Sequence, residues 1–340
     1  MVQQMVREPT ARKVGRRPSR RFMLGKAVRD FFADECLDRS AALTLFSVLA
    51  LPPLTIMLTS ILALVGQGPG GTDTMLEIIG LVAPDDESLA VISQPVRDVL
   101  EHPAAGWTLV IGVVTSLWIA AGYVGSFGRA MNRVYGVAEG RPGLQLIGWH
   151  LLTTLVLVAF AALVTLFAVV SGPVARAVGE TLDIRGAVTV WSLLRWPIAI
   201  VAGLVVVALL YYTTPNVRYP RFRLVSAGSL LAVGVALVAS YAFELYVRLA
   251  GRFETTYGAA LAGIVVLVLW LWLINISLLL GAELDRELAR AKQLVGGVAA
   301  DRSIQVDVRD HRASHRAEVR RLADEARARS LRESWNDGSE

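Results

Sequence analysis

Side chains that form disulfides or bind metals are scarce in this sequence, which has one cysteine, Cys36, and four histidines. A single cysteine excludes a disulfide within the chain. His311 and His315 are four residues apart, but no carboxylates accompany them at the spacing of a metal hydrolase. The sequence also lacks a Walker A loop, a glycine-rich dinucleotide loop and a nucleophile elbow. We therefore expect no cofactor and no metal, and we expect that the protein is not an enzyme.

Long hydrophobic runs dominate the rest of the chain. Hydrophobic residues make up 54% of the 340 residues and the mean hydropathy is +0.51, whereas a soluble domain is about 45–50% apolar. The excess falls in six windows that could each cross a hydrocarbon core of about 30 Å as a helix: 43–65, 106–125, 147–170, 191–212, 225–247 and 258–281. They lack the alternation of barrel strands. The sequence therefore predicts an all-α, polytopic membrane protein with six transmembrane helices.

The distribution of basic residues predicts which side of the membrane each connection faces. Residues 1–42 are strongly basic, whereas the connection 66–104 has Arg97 as its one basic residue. Short basic connections stay in the cytoplasm, so the N-terminus should be cytoplasmic and residues 66–104 should form an external loop. An even number of helices returns the C-terminus to the cytoplasm. The basic N-terminal stretch is not followed by the apolar core of a signal peptide.

These assignments divide the chain into three parts. Residues 1–42 form a basic cytoplasmic segment with an amphipathic helix, residues 43–284 form the membrane domain, and residues 285–340 form a charged cytoplasmic tail. The tail is rich in Arg, Asp and Glu, so we expect it to continue the last helix and then fray. A solvated tail is a commoner use of this composition than nucleic-acid binding, and nucleic acid is not an expected partner.

Polar residues gather where several stretches reach the predicted cytoplasmic interface. Arg129 and Arg133 are four residues apart and share a helix face, and Glu283 reaches the same level at the end of the last span. This group, called the collar, consists of Arg129, Asn132, Arg133, Asn216, Arg218 and Glu283. Two interpretations remain open. The collar is either a site that binds an anion, or ordinary interface charges with an Arg–Glu pair that orients the helices.

The fifth predicted span carries a small residue at every fourth position, in a seam formed by Gly228, Ala232, Ala236 and Ser240. This spacing lets another helix approach closely, and it offers a surface for a homo-oligomer. Glu244 continues the seam near the outer face, where a carboxylate should face protein or water, with Arg248 and Arg195 as candidate partners. Asn275 in the last span is a further polar candidate, for an interhelical hydrogen bond or for a substrate path.

Three stretches carry a family resemblance: SLWIAAGYVGSFGRAMNRVYGV, LLYYTTPNVRY and FETTYGAALAGIVVLVLWLWLINISLLLGAELDREL. Together they resemble the YihY/virulence factor BrkB family of bacterial inner-membrane proteins. The most specific matching residues are Trp118, Asn132, Arg133, Tyr135, Pro215, Asn216, Thr256, Tyr257, Gly258, Gly281, Ala282, Glu283 and Leu284. The resemblance implies a six-helix protein of the plasma membrane, described in this family as a transporter or an envelope-integrity factor. The family has also carried a ribonuclease label, which the scattered histidines do not favour.

Two functions follow from these observations. The first is a transporter for a lipid or an amphiphilic anion. Arg129 and Arg133, held in register by Glu283, capture the substrate with help from Arg218, and the substrate then moves along the seam. The second is a membrane protein that does not transport and instead supports the envelope or scaffolds partners. Membrane lipids are the expected partners in both cases. A polar path from the collar toward Glu244 would favour the transporter, and a dry bundle would favour the scaffold.

Overall fold

The computed structural model describes residues 19–66, 105–181, 187–219, 221–250 and 259–337. Within these ranges the regular secondary structure is helical, apart from one isolated antiparallel β-bridge between Val217 and Val308. The helices are α1 (Arg20–Ala33), α2 (Cys36–Gly66), α3 (Ala105–Val134), α4 (Gly143–Thr181), α5 (Ala187–Thr213), α6 (Ala227–Ala250), α7 (Ala259–Val295) and α8 (Arg312–Asp337).

The six apolar windows coincide with the six helices from α2 to α7. Four described stretches are long and apolar enough to cross a membrane: Val110–Val134, Gly143–Ala161, Ala227–Tyr246 and Gly263–Val295. The apolar stretch of α5, Pro197–Thr213, is shorter. The helical fold with several membrane-type helices is therefore confirmed, whereas the count of six spans and the side of the termini stay predictions. The predicted external loop lies outside the described residues, apart from its first residue.

The long helices pack side by side in a closed ring. Neighbours in sequence are neighbours in space from α2 to α7, and α7 returns to pack against α2. Helix α3 also contacts α5 and α7, and the short helix α1 packs against α7 and α2. Helices α3 and α7 therefore hold the assembly together.

Helices α6 and α7 cross closely where both carry glycine. A Cβ at Gly228 would overlap the carbonyl oxygen of Gly281, and a Cβ at Gly281 would lie 2.8 Å from the Cβ of Ala232. Further along, Nε1 of Trp270 donates a hydrogen bond to the hydroxyl of Ser240 at 2.9 Å. The seam thus packs against α7 of the same chain. A homo-oligomer would have to use another surface, and a substrate could follow the seam only if α6 and α7 separated.

The buried core lies at one end of the ring. Phe127 has no exposed surface and stacks between Tyr123 and Tyr211, with ring centroids at 6.4 Å and 6.2 Å. The hydroxyl of Tyr211 donates to the carbonyl of Leu278 in α7. The C-termini of α3 and α5, the N-terminus of α6 and helix α1 meet at this end, which we call the charged end because of the residues described below.

Two segments outside the predicted spans cover the charged end. Helix α1 begins after Ser19, whose hydroxyl accepts the N–H of Phe22 at 3.2 Å as an N-cap. After α7, residues 296–311 fold back across the bundle, and we call this segment the strap. The N–H of Arg218 donates to the carbonyl of Asp307 in the strap at 2.7 Å, next to the β-bridge. The strap therefore adds a short piece of extended backbone to the segment that follows α5.

The charged tail is more ordered than the sequence predicts, since it does not fray after the last span. Helix α7 continues to Val295, the strap is hydrogen-bonded to the helix bundle, and α8 follows over Arg312–Asp337. The described side chains of α8 from His315 onward are all exposed. The strap is ordered because its backbone pairs with residues far away in sequence, which charge composition does not reveal.

Candidate functional site

Two buried asparagines join three segments at the charged end. Asn132, near the end of α3, is 5% exposed; its Oδ1 accepts the N–H of Asn216 at 2.7 Å and its Nδ2 donates to Glu139 at 2.9 Å. The Nδ2 of Asn216 donates to the carbonyls of Ala138 and Asp310 at 3.0 and 2.8 Å, and its Oδ1 accepts the N–H of Asp310 at 3.1 Å. Both amides are thus engaged within the protein, and they fasten α3, the end of α5 and the strap together.

Arg141 and Glu139 form an ion pair in the connection between α3 and α4. Nε and Nη2 of Arg141 donate to the two carboxylate oxygens of Glu139 at 2.8 and 2.7 Å, and Nη2 also donates to the carbonyl of Thr214 at 2.7 Å. Burial raises the pKa of Glu139, but the hydrogen bonds from Arg141 outweigh burial and hold it below the ordinary 4.5. The carboxylate therefore stays ionised at neutral pH, and its arginine caps the C-terminus of α5.

Arg309 of the strap caps the same helix end. Its guanidinium donates to the carbonyl of Tyr212 and, at 2.9 Å, to that of Val217. It also lies 5.3 Å from the centre of the Tyr212 ring. The last carbonyls of a helix carry partial negative charge and lack partners in the helix, so an arginine there is favourable. Arg141 and Arg309 together stabilise the end of α5.

The three arginines of the collar keep exposed side chains. Arg129 and Arg218 are exposed, and the side chain of Arg133 is 53% exposed. Nε of Arg133 lies 3.3 Å from Oδ1 of Asp34, in the turn after α1. These guanidinium groups therefore face the surroundings of the charged end, whereas the asparagines of the collar face its interior.

Arg129 borders a notch between α3 and α4. A Cβ at Gly125 would lie 3.0 Å from Nδ1 of His150 and 3.6 Å from Nη1 of Arg129. Glycine at this position lets the imidazole approach the backbone of α3. The notch therefore brings a guanidinium and an imidazole to the same side of α3, a combination that suits an anion.

Glu283 is fully buried against α1 and α2. Sγ of Cys36 lies 3.8 Å from its Oε1, and Nε of Arg286 lies 3.4 Å from its Oε2. Arg286 also contacts Asp30 and lies 3.6 Å from Oδ2 of Asp34. Burial, followed by the charge of Glu283, raises the pKa of the Cys36 thiol. One guanidinium thus serves three carboxylates at this place.

The hypothesis that Glu283 holds the collar arginines in register needs correction. The acid at Arg133 is Asp34, and the ion pair of Glu283 goes to Arg286, three residues further along α7. Helix α1 lies against α7 and inserts its aspartates at this place. The collar is therefore divided into exposed arginines and an internal group of carboxylates and arginines.

Asn275 links three helices at a deeper level. Its Oδ1 accepts the hydroxyl of Tyr123 at 2.9 Å, and its Nδ2 donates to Thr44 at 3.2 Å and to the carbonyl of Leu271 at 2.9 Å. The side chain is 2% exposed. Its hydrogen bonds therefore join α7 to α2 and α3, as in the interhelical interpretation.

Glu244 lies far along α6 from these residues, on an exposed part of the helix. Its two candidate partners, Arg195 and Arg248, have side chains outside the described residues. Among the described side chains, Asn275 and the Trp270–Ser240 pair are polar contacts between the levels of Glu283 and Glu244. The described side chains thus supply two separate polar contacts between these levels, where a transporter would need a continuous polar path.

Several charged residues of the site were not identified from the sequence as site members. Arg286 and Glu287 lie on the continuation of the last helix, and Arg141 and Arg309 lie in connections. Spacing offered one signal, because Glu283 with Arg286 and Glu287 with Arg290 are each three residues apart on a helix. The partners from α1 and the strap left no local pattern.

The described histidines lie in two separate places. His150 lies on α4, whereas His311 and His315 lie at the start of α8. Within the described ranges no three His, Cys, Asp or Glu side chains are arranged so that they could hold a metal ion. The candidate site of the described residues is thus a site of arginines, amides and carboxylates.

Over most of its length, the chain matches a family profile and several known proteins. The profile described as Virulence factor BrkB matches residues 27–303. A ribonuclease-like protein of Bacillus subtilis (strain 168), YfkH, is 29% identical over 262 residues, which are 76% of this chain and 91% of that protein. A UPF0761 membrane protein of Alkalilimnicola ehrlichii is 33% identical over 263 residues, 76% of this chain and 56% of that protein. A UPF0761 membrane protein of Xanthomonas oryzae pv. oryzae is 27% identical over 267 residues, 77% and 59% of the two chains.

The chain therefore spans somewhat more than half the length of these two UPF0761 relatives. No solved structure matches it. The profile covers the whole helix ring, the second half of α1 and the first part of the strap. Its extent agrees with the apolar helices and with the membrane-protein names of the relatives. The chain belongs to the Virulence factor BrkB family of multi-pass membrane proteins.

Proposed function

We propose that the chain is a transporter of the bacterial plasma membrane that captures an anionic amphiphile at the charged end, on its cytoplasmic side. The observation that carries the proposal is the exposure of the side chains of Arg129, Arg133 and Arg218. The amide groups of Asn132 and Asn216, by contrast, form hydrogen bonds within the protein. Guanidinium groups bind phosphate and carboxylate through paired hydrogen bonds. A lipid headgroup and a free amphiphilic carboxylate share this chemistry.

Capture would proceed by exchange of ion-pair partners. Arg133 is paired with Asp34 at 3.3 Å and its own side chain is half exposed, so an arriving anion can reach this guanidinium and compete with Asp34 for it. Arg129 at the notch adds a second cation, with His150 beside it. The apolar side chains exposed on α4 and α6, such as Leu155 and Val238, would face acyl chains while the headgroup is held.

The alternative is a protein that does not transport and scaffolds the envelope. The observation in its favour is α8, a charged helix whose described side chains are exposed from His315 to its end and offer a surface to a partner. The tight packing of the charged end also suits a structural role. The two functions differ in whether purified protein moves lipid.

The test is lipid movement in liposomes that contain the purified full chain. Wild type should accelerate the exchange of a fluorescent phosphatidylglycerol between leaflets, relative to protein-free liposomes. The double variant Arg129→Gln with Arg133→Gln should lose this acceleration, because both capture cations are gone. Arg320→Gln, an exposed arginine of α8, is the matched control and should behave as wild type.

Two results would count against the proposal. Wild type that is folded by gel filtration and moves neither phosphatidylglycerol nor phosphatidylcholine would favour the scaffold. Undiminished movement by the folded double variant would remove the arginines from the mechanism.

A further inference from the structure

Glu283 stands apart from the other carboxylates of the charged end. It is fully buried. The titratable and charged groups that face it are Asp30, Asp34, Cys36, Tyr135 and Arg286. Asp34 shares a cation with Glu283, because Oδ2 of Asp34 lies 3.6 Å from Nη1 of Arg286 and Oε2 of Glu283 lies 3.4 Å from Nε of the same arginine. Two carboxylates that share one guanidinium in a buried place favour a proton on one of them.

The other carboxylates of the charged end each pair with a nearby cation. Asp30 has Nζ of Lys26 at 2.6 Å, and Glu287 has Nη1 of Arg290 at 3.0 Å. Asp34 has Nε of Arg133 at 3.3 Å. These three carboxylates therefore each have a cation that Glu283 does not share.

Arg286 is the cation that pairs with Glu283, but most of its guanidinium contacts other groups. Its Nη2 contacts Asp30, and its Nη1 donates to the carbonyl of Val134 at 3.1 Å and lies 3.6 Å from Asp34. The remaining Nε lies 3.4 Å from Oε2 of Glu283, but neither atom forms a hydrogen bond. A buried carboxylate without a hydrogen-bonded cation is costly, and a proton removes that cost.

We propose that Glu283 is a proton-binding site that takes up its proton when an anionic ligand draws Arg133 away from Asp34. The proton comes from water and returns to water when the ligand leaves, so the step needs no other reactant. Protons would then be the coupling ion for the transport proposed above. The coupling rests on that proposed function, whereas the proton site itself rests on the contacts of Glu283.

The link between the two sites is Asp34. Its Oδ1 faces Arg133 at 3.3 Å and its Oδ2 faces Arg286 at 3.6 Å. When a phosphate or carboxylate takes Arg133, Asp34 keeps Arg286 alone, so Glu283 is left with more uncompensated negative charge beside it. That change favours the protonated form of Glu283. By reciprocity, a proton on Glu283 strengthens the binding of the anion at Arg133.

The first test is infrared spectroscopy of the full chain in phosphatidylcholine nanodiscs over a range of pH. A carboxylic acid C=O band that titrates with pH should be present in wild type and lost in Glu283→Gln. Glu287→Gln is the matched control, because Glu287 is 2% exposed and lies one turn further along α7 but is hydrogen-bonded to Arg290. It should keep the band. A wild type without the band, or a band that persists in folded Glu283→Gln, overturns the proton site.

The second test adds short-chain phosphatidylglycerol to weakly buffered protein and follows pH with an indicator. Wild type should take up protons, Glu283→Gln should lose this uptake, and short-chain phosphatidylcholine should cause none. A band without uptake overturns the coupling. A band with uptake but no lipid movement in liposomes overturns the transporter and leaves the proton site standing.

Discussion

The buried amide side chains and the Glu139–Arg141 pair of the charged end are hydrogen-bonded within the protein. Asn132 and Asn216 use their amide groups within the protein, and Arg141 binds Glu139 through two hydrogen bonds. Such groups are costly to bury unless they are bonded. Their effect is to fix the ends of α3 and α5 against the strap, and the exposed arginines are then held on a rigid base.

The Glu139–Arg141 pair should make the stability of the folded chain depend on pH in the acidic range. The pKa of Glu139 is lower in the folded chain than its ordinary 4.5, so the unfolded chain binds more protons in acid. This stabilisation is complete above the unfolded pKa and is lost as pH falls through the folded pKa. Glu139→Gln should weaken that acid dependence and lower stability at neutral pH by about 1–3 kcal/mol, because Arg141 loses a charged partner.

The measurement is the midpoint of thermal unfolding in detergent between about pH 3 and pH 7. Glu318→Gln is the control, because Glu318 pairs with Arg321 on exposed α8 and such pairs contribute little. Identical curves for wild type and Glu139→Gln would contradict the assigned role of the pair.

Helix α7 organises the molecule at the level of elements. It packs against α6 through Gly281, against α1 through Arg286, and against α2 and α3 through Asn275. Small residues bring the backbone of α6 close, while polar side chains bond across the other interfaces. The helix that carries Glu283 is therefore also the helix that most of the others touch.

The crossing of α6 and α7 should tolerate no side chain at Gly228. Gly228→Ala places a Cβ on the carbonyl oxygen of Gly281, so the helices must move apart, at a cost of about 1–3 kcal/mol. Gly234→Ala on the same helix is the control, because a Cβ there meets nothing within 4 Å. It should be neutral or stabilising by up to about 1 kcal/mol. Thermal unfolding of both variants decides the matter, and equal midpoints would mean that the crossing is looser than described.

The apolar windows could be predicted because hydropathy is a local property of the chain. The meeting of Asn132 and Asn216 could also be expected, since both lie where a span ends at one level. The position of the strap could not be predicted, because Arg309 donates hydrogen bonds to the backbone carbonyls of Tyr212 and Val217. Every residue type has a backbone carbonyl, so the sequence pattern does not show which ones will be bound. The Arg133 partner was misassigned for a related reason: Asp34 reaches it only through the packing of α1 on α7.

In the ranges that the structure describes, the molecule is a ring of membrane-type helices with a well-packed, charged end. Buried carboxylates lie inside that end and exposed arginines lie around it. Membership of the Virulence factor BrkB family agrees with the helix ring but leaves the substrate open. The arrangement of charge supplies the proposed substrate class, an anionic amphiphile.

Capture of an anionic headgroup by these arginines is tested most directly by the lipids that remain bound to the purified chain. The full chain is released from mixed phosphatidylglycerol and phosphatidylcholine micelles and weighed by native mass spectrometry. Wild type should retain phosphatidylglycerol in preference to phosphatidylcholine, and the Arg129→Gln, Arg133→Gln double variant should lose that preference while the Arg320→Gln control keeps it. Equal retention of the two lipids by wild type, or an unchanged preference in the double variant, would contradict anion capture at the charged end.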